Sequence, residues 1–198
     1  MSNSSISANK LESNYSFSNF TVGKTNKFAY AAATTVAECM MDNKYNPLFI
    51  YGPSGAGKTH LLHAIWSCAS TARPDLCIAF INAHEYYDER EAAIQSSSVA
   101  VFQNKYKNAD LFLIDDIQYL TGKLATQDEL LGLIDSLYNQ NKQIVFAYNG
   151  APYQDRRLSE HFNTRYANRT GLLCDMLPPD DDLIAAIAVN KAGMHKLD

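Results

Sequence analysis

Cysteine is scarce in this chain of 198 residues, and its four copies, Cys39, Cys68, Cys77 and Cys174, stand far apart with no C-x-x-C pair. That spacing argues against both a zinc site and a disulfide framework and predicts four buried thiols in a reducing cytoplasm. Long apolar runs are missing, so no stretch approaches the length of a membrane span. The N-terminus lacks the basic-then-apolar pattern of a signal peptide. An excess of basic charge is missing too: 17 Lys and Arg stand against 21 Asp and Glu, a net charge of -4. Affinity for phosphate backbones comes from clustered cations, so contact with DNA is expected to be weak, local or supplied by a partner. There is no internal repeat. What is present, 46% apolar and 19% charged residues, is the balance of one soluble globular domain with a sizeable core.

Residues 1–15 are rich in Ser and Asn and predict a mobile arm, leaving 16–198 as the folded domain. Phe28, Ala32, Val36 and Met40 recur every four residues and predict an amphipathic helix. Short apolar runs at 47–51, 76–81, 111–114, 143–148 and 172–174 predict strands. Helical stretches are expected after Lys58, over 84–107, after a T-x-x-E capping pattern at Thr126 and Glu129, over 156–162 and over 180–193. Continuously apolar strands alternating with helices imply an α/β fold, a mostly parallel sheet covered on both faces.

The first strand runs into Gly52-Pro53-Ser54-Gly55-Ala56-Gly57-Lys58-Thr59-His60, which fits G-x-x-x-x-G-K-[ST]. Glycines let the backbone turn tightly and aim its N–H groups at phosphate oxygens, and the following helix adds its positive end. Lys58 is expected to reach the terminal phosphates and Thr59 to offer its hydroxyl to Mg2+. The motif calls for an acid at the end of a later strand, and LFLIDD supplies Asp115 on the metal side and Asp116 as the acid that orients water. An Asp where Glu is common is one methylene short, and a misplacement of roughly 1 Å can cost on the order of a hundredfold in rate, so slow hydrolysis is expected. Asn149, at the end of the next strand, suits either a γ-phosphate contact or an Asn-Gly turn.

Other constellations weigh less. His60 and His63 lie three apart, but both belong to the helix after the loop, and a metal there is disfavoured. Ser54 resembles a nucleophile elbow but lacks its second glycine and any assignable His and acid. Tyr86, Tyr87 and Tyr106 could stack on bases, although core packing suits them better.

Several separated stretches occur together and in order: YSFSNFTVGKTNKFAYAAATTVA, YNPLFIYGPSGAGKTHLLHAI, NADLFLIDDIQYL, and NTRY followed by GLLCDMLPPD. In these the chain resembles, from about Tyr15 to about Met194, the nucleotide-binding domain of the bacterial DnaA replication-initiator family of the AAA+ superfamily. The resemblance implies a P-loop NTPase fold, a three-layer αβα sandwich, acting as an ATP/ADP switch in replication initiation. It implies head-to-tail assembly of protomers, with Arg165 as the arginine finger reaching a neighbour's nucleotide and Arg169 as the runner-up. Such a guanidinium makes assembly depend on ATP. It also implies that Val22 and Gly23 line the adenine pocket.

The chain departs from that pattern in four places. It ends soon after the helix following PPDDD, so most of the helical lid and the C-terminal helix-turn-helix domain are expected to be missing. HEYYDEREAAIQSSS, where the family grips single-stranded DNA, carries Ala92 and Ala93 with Asp88, Glu89 and Glu91, so phosphate gripping needs Lys105 and Lys107. His161 stands where the family has an arginine. Two functions therefore compete: a slowly hydrolysing assembly switch, or a short paralogue that acts as a regulatory module or helicase loader on an initiator, a replicative helicase or another AAA+ protein. A small-molecule kinase is disfavoured because no basic cluster serves a phosphate acceptor.

Overall fold

The computed structural model describes residues 15–39, 45–152 and 171–195, together with the two-residue strand Ile6–Ser7. The helix expected at 156–162, the candidates Arg165 and Arg169, His161 and Met40 lie outside the described residues.

Six strands form one parallel sheet: β1 (Ile6–Ser7), β2 (Leu48–Gly52), β3 (Ile78–Asn82), β4 (Leu111–Asp115), β5 (Gln143–Asn149) and β6 (Leu172–Asp175), in the order β1-β3-β4-β5-β2-β6. The helices among the described residues are α1 (Lys27–Glu38), α2 (Lys58–Ala72), α3 (Ala83–Gln95), α4 (Val99–Lys107), α5 (Leu124–Asn139) and α6 (Asp181–His195). The strands are apolar on both faces because both are covered. Side chains alternate along each: Phe49, Phe112, Ile114 and Phe146 pack under α3, α4 and α5. Leu48, Ile50, Leu113 and Val145 pack under α1 and α2. Each such side chain, fully buried, contributes on the order of 1.5–3 kcal/mol. The result is the expected αβα sandwich. None of the described helices is long and apolar enough to cross a membrane.

The topology prepares a site. From β2 the chain passes over β5 and β4 to pair β3, then returns strand by strand, so β2 lies between β5 and β6. Ligands of such sheets bind beyond the carboxyl ends of the strands where the order reverses. Those ends are Gly52, Asn82, Asp115 and Asn149, with Gly52 in register with Asn149 and Asn82 with Asp115.

Some local expectations shift. The buried stripe of α1 is Ala29, Ala32, Ala33, Val36 and Ala37, while Phe28 is 55% exposed. Alanines let α1 approach α2 closely, and that stripe displaces the one drawn through Phe28. Thr126 does not cap α5: the helix starts at Leu124, and Thr126 is buried within it. β3 begins at Ile78 because the Asp110 carboxylate accepts the Cys77 N–H at 2.8 Å just ahead of it. The thiols divide: Cys174 alone is buried, Cys39 is exposed, and Cys68 and Cys77 lie between. Tyr86 and Tyr106 are core residues, stacked near Phe102 and Phe112.

Candidate nucleotide-binding site

The phosphate loop joins β2 to α2 through three glycines at positive φ: Gly52 at 148°, Gly55 at 79° and Gly57 at 101°. A Cβ on Gly52 would run into the Met176 carbonyl, and one on Gly57 would come within 3.1 Å of the Phe20 ring. Gly55 has open space around it. Gly57 is the N-cap of α2, where no side chain caps the helix and no acid sits in the first turn. The first N–H groups of α2 are thus left for an anion.

Lys58 is buried, and its Nζ donates to the carbonyls of Gly52 at 2.9 Å and Pro53 at 2.7 Å. The lysine therefore braces the loop that it serves. Burial pulls its pKa down, opposed by the carboxylates of Asp115 and Asp116. Thr59 Oγ1 donates to Asp115 Oδ2 at 2.6 Å. A hydroxyl and a carboxylate oxygen at one point form the hard oxygen pair that Mg2+ prefers, so these two side chains fit that ion. Asp115 is buried, which pushes its pKa up; the Thr59 hydrogen bond works the other way, and neighbouring Asp116 adds to the rise.

Asp116 follows at φ 54°, a left-handed conformation outside the strand. Three amides hold its carboxylate: Asn82 Nδ2 at 3.2 Å, Gln118 Nε2 at 2.8 Å and Asn149 Nδ2 at 2.6 Å. The Asn149 side chain thus turns to Asp116. Its N–H donates to Gln118 Oε1 at 2.9 Å, and Gly150 closes the strand end by donating to the Gly52 carbonyl at 2.9 Å.

Beside the loop lies a cavity of about 340 Å³ between Phe20, the loop backbone and α6. Phe20, Leu183 and Ile187 give it apolar walls, and Asn26, Asn190 and Lys191 give it a polar rim, an arrangement suited to a base and sugar. Gly55, Ala56, Gly57 and His60 line it, while Gly52, Pro53, Ser54, Lys58 and Thr59 do not. His60 hydrogen-bonds the Ser16 carbonyl through Nε2 at 2.9 Å, with its ring 4.8 Å from Tyr15 and 5.0 Å from Phe20. Burial lowers its pKa, the Ser16 carbonyl opposing and Lys191 reinforcing, which favours a neutral ring. His63 packs instead on Phe80 and Tyr15. Val22, 46% exposed, does not line the cavity, while Gly23 sits behind the wall against Leu183 and donates its N–H to Asn26.

Sequence reasoning gave no role to Asn82, Gln118, Asn26 or the α6 wall. For Asn82 a signal existed: one polar residue ends an apolar strand, as Asp115 does.

The chain matches the family model of the bacterial DnaA ATPase domain over residues 11–175. It is 42% identical, over 178 residues, to the chromosomal replication initiator protein DnaA of Symbiobacterium thermophilum, a match covering 90% of this chain and 38% of that protein. Domain III of the Thermotoga maritima replication initiation protein DnaA superposes with a TM-score of 0.90 at 34% identity, over 96% of this chain and 78% of that one. A replication initiator DnaA bound to AMPPCP and single-stranded DNA superposes with a TM-score of 0.87 at 30% identity, over 96% and 58%. The chain thus spans well under half the length of the curated relative it matches.

Proposed function

The chain belongs to the bacterial DnaA ATPase domain family, and on that premise we propose that it binds ATP and ADP with Mg2+ and hydrolyses ATP slowly, as a switch for head-to-tail assembly in replication initiation. The observation that carries this reading is the meeting of Lys58, Thr59 and Asp115 at the carboxyl ends of β2 and β4, beside a cavity that suits a base. AMPPCP in a structural relative supports nucleotide as the ligand.

In this mechanism the loop N–H groups and the start of α2 receive the phosphates. Lys58 swings from the Gly52 and Pro53 carbonyls to the terminal phosphates, exchanging one set of acceptors for a charged one. Thr59 and Asp115 would hold Mg2+, which would supply neutralisation of phosphate charge. Asp116 orients the attacking water. Its four lone-pair sites already take three amide donors, which fixes its direction and leaves about one site for water. In the proposed mechanism Asn149 turns from Asp116 to contact the γ-phosphate, and Arg165 acts in trans on a neighbour's nucleotide.

ATP and ADP affinity with Mg2+, wild type against Lys58→Ala, is the first test. Binding by the wild type and loss in the variant support a live site; absence of binding in both overturns the reading. A turnover in the fast-motor range for the isolated domain would sink the slow switch. Hydrolysis that rises with protein concentration and falls on Arg165→Ala supports assembly. Negligible, concentration-independent hydrolysis with tight binding to an initiator or helicase favours a regulatory module.

A further inference from the structure

We infer that Gln118 is a positioning residue that locks Asp116 and Asn149 into one unit, an inference that rests on the ATPase reading above. The three residues close a ring through their side chains and the Asn149 backbone N–H. Gln118 Nε2 donates to Asp116 Oδ1 at 2.8 Å, Gln118 Oε1 accepts the Asn149 N–H at 2.9 Å, and Asn149 Nδ2 donates to the same Asp116 Oδ1 at 2.6 Å. One end of the glutamine amide must accept and the other donate, so both neighbours together set its orientation.

The ring is placed where orientation matters. Asp116 has left-handed backbone, so the regular strand does not aim its carboxylate. Asn149 is the last residue of β5 and pairs in register with Gly52, the first residue of the phosphate loop. Gln118 is itself fixed, because the turn that carries it is anchored by buried Ile117 and Leu120. The amide thus links the water-orienting acid just after β4 to the strand end beside the loop. Asn82 touches Asp116 Oδ2 but, from its 3.2 Å contact, carries no such link to Asn149. Positioning of this kind acts on turnover: an error of roughly 1 Å at the acid is worth on the order of a hundredfold. Nucleotide affinity changes little beside it, because Gln118 bonds neither Lys58 nor Thr59 and holds Asn149 by its backbone N–H, not by its side chain.

Gln118→Leu keeps the approximate volume and removes both hydrogen bonds. Gln118→Glu keeps an acceptor for the Asn149 N–H but loses the donor to Asp116. Steady-state ATP hydrolysis gives kcat and KM, thermal melting checks the fold, and amide exchange by NMR reads the Asn149 N–H directly. In Gln118→Leu, kcat is expected to fall about tenfold or more with KM within about twofold, and the Asn149 amide to exchange faster. In Gln118→Glu, turnover is expected to fall similarly while the Asn149 amide stays protected. Unchanged kcat, a rise in KM alone, or Asn149 protection unaltered in Gln118→Leu would each overturn the assignment. If Gln118→Leu does not melt cooperatively, Gln118→Glu decides: loss of turnover with the amide protected supports the link, and full turnover refutes it. If the wild type does not hydrolyse ATP, the ATPase reading falls by itself, and amide exchange still tests the link.

Discussion

The carboxyl ends of β2, β4 and β5 and the α3–α4 excursion are both assembled from charged and polar side chains, yet they handle those groups in opposite ways. At the strand ends the hydrogen bonds run between distant parts of the chain: Thr59 reaches Asp115, and Asn82 and Asn149 reach Asp116. Lys58 and Asp115 are buried there without an ion pair between them, held by carbonyls and a hydroxyl. In the excursion two cations are already matched: Lys105 sits 2.7 Å from Glu89, and Arg90 bridges Glu91 at 2.7 Å and Glu129 at 2.6 Å. The first region buries its charges among carbonyls, hydroxyl and amides, and the second engages Arg90 and Lys105 in pairs across its own helices.

The comparison is sharpest in catalysis. Asp116→Ala removes the acid that three amides aim, and hydrolysis at saturating ATP should fall by about 10²–10⁴-fold. ATP affinity should stay within about threefold, because Asp116 bonds Asn82, Gln118 and Asn149 and acts on Lys58 only through its charge. A parallel loss of affinity would mean that the network builds the loop and does not merely serve turnover. Lys58→Ala should weaken ATP binding by about a hundredfold, the roughly 3 kcal/mol of a charge-assisted contact. Wild-type affinity should also decline with rising pH before an ordinary lysine would titrate, because burial has lowered the Lys58 pKa and the neutral amine must be recharged on binding. Isothermal titration across alkaline pH measures both effects.

Arg90→Ala probes the other region. Arg90 and Glu129 are mostly shielded from water, and Gln103 also donates to Glu129 at 2.9 Å, so removing the guanidinium leaves one carboxylate under-partnered. A loss of about 2 kcal/mol, or about 4–8 °C in Tm, is expected with no change in ATP affinity. Asp115→Asn should move stability the other way. Burial raises the Asp115 pKa in the fold, so its stabilising contribution is full below the unfolded pKa and is lost as pH rises through the folded one. At neutral pH the nucleotide-free variant should therefore be more stable, by about 1 kcal/mol or about 2–4 °C, with the gap closing on acidification. Its Mg2+-dependent hydrolysis should be lost.

What could be read from the sequence follows the same division. The loop is contiguous, and its glycines, lysine and threonine advertise their chemistry by spacing alone. LFLIDD was readable because an apolar run ending in acids marks a strand end. The αβα sandwich followed from runs whose alternation is hidden in sequence, since both faces are apolar. Asn82 carried a strand-end signal without its partner, and Gln118 was not readable in this way, because its value arises only when β4 and β5 align their ends. Nor was the α6 wall, whose Leu183 meets Gly23 across 160 positions of chain. The α1 stripe was misplaced by one position because alanines on two adjacent faces satisfy the same period, and volume decides which packs.

The smallest expected effect is the most direct challenge to the contrast. Single-stranded DNA is held through cations that displace counterions from phosphates, and a cation already neutralised displaces few. Lys105 Nζ donates to both carboxylate oxygens of Glu89, which in turn accepts the Tyr106 hydroxyl at 2.7 Å. Lys105→Ala should therefore change retention of an oligothymidine by less than about twofold at low salt, and the salt dependence should keep its slope. Glu89→Gln makes the complementary change, releasing Lys105 while leaving an oxygen for Tyr106, and should tighten binding by a few-fold, with a steeper salt slope. A large loss in Lys105→Ala would show that the ion pair opens for nucleic acid at little cost. The excursion would then be a second ligand-ready region, and the difference from the strand ends would be one of pairing strength alone.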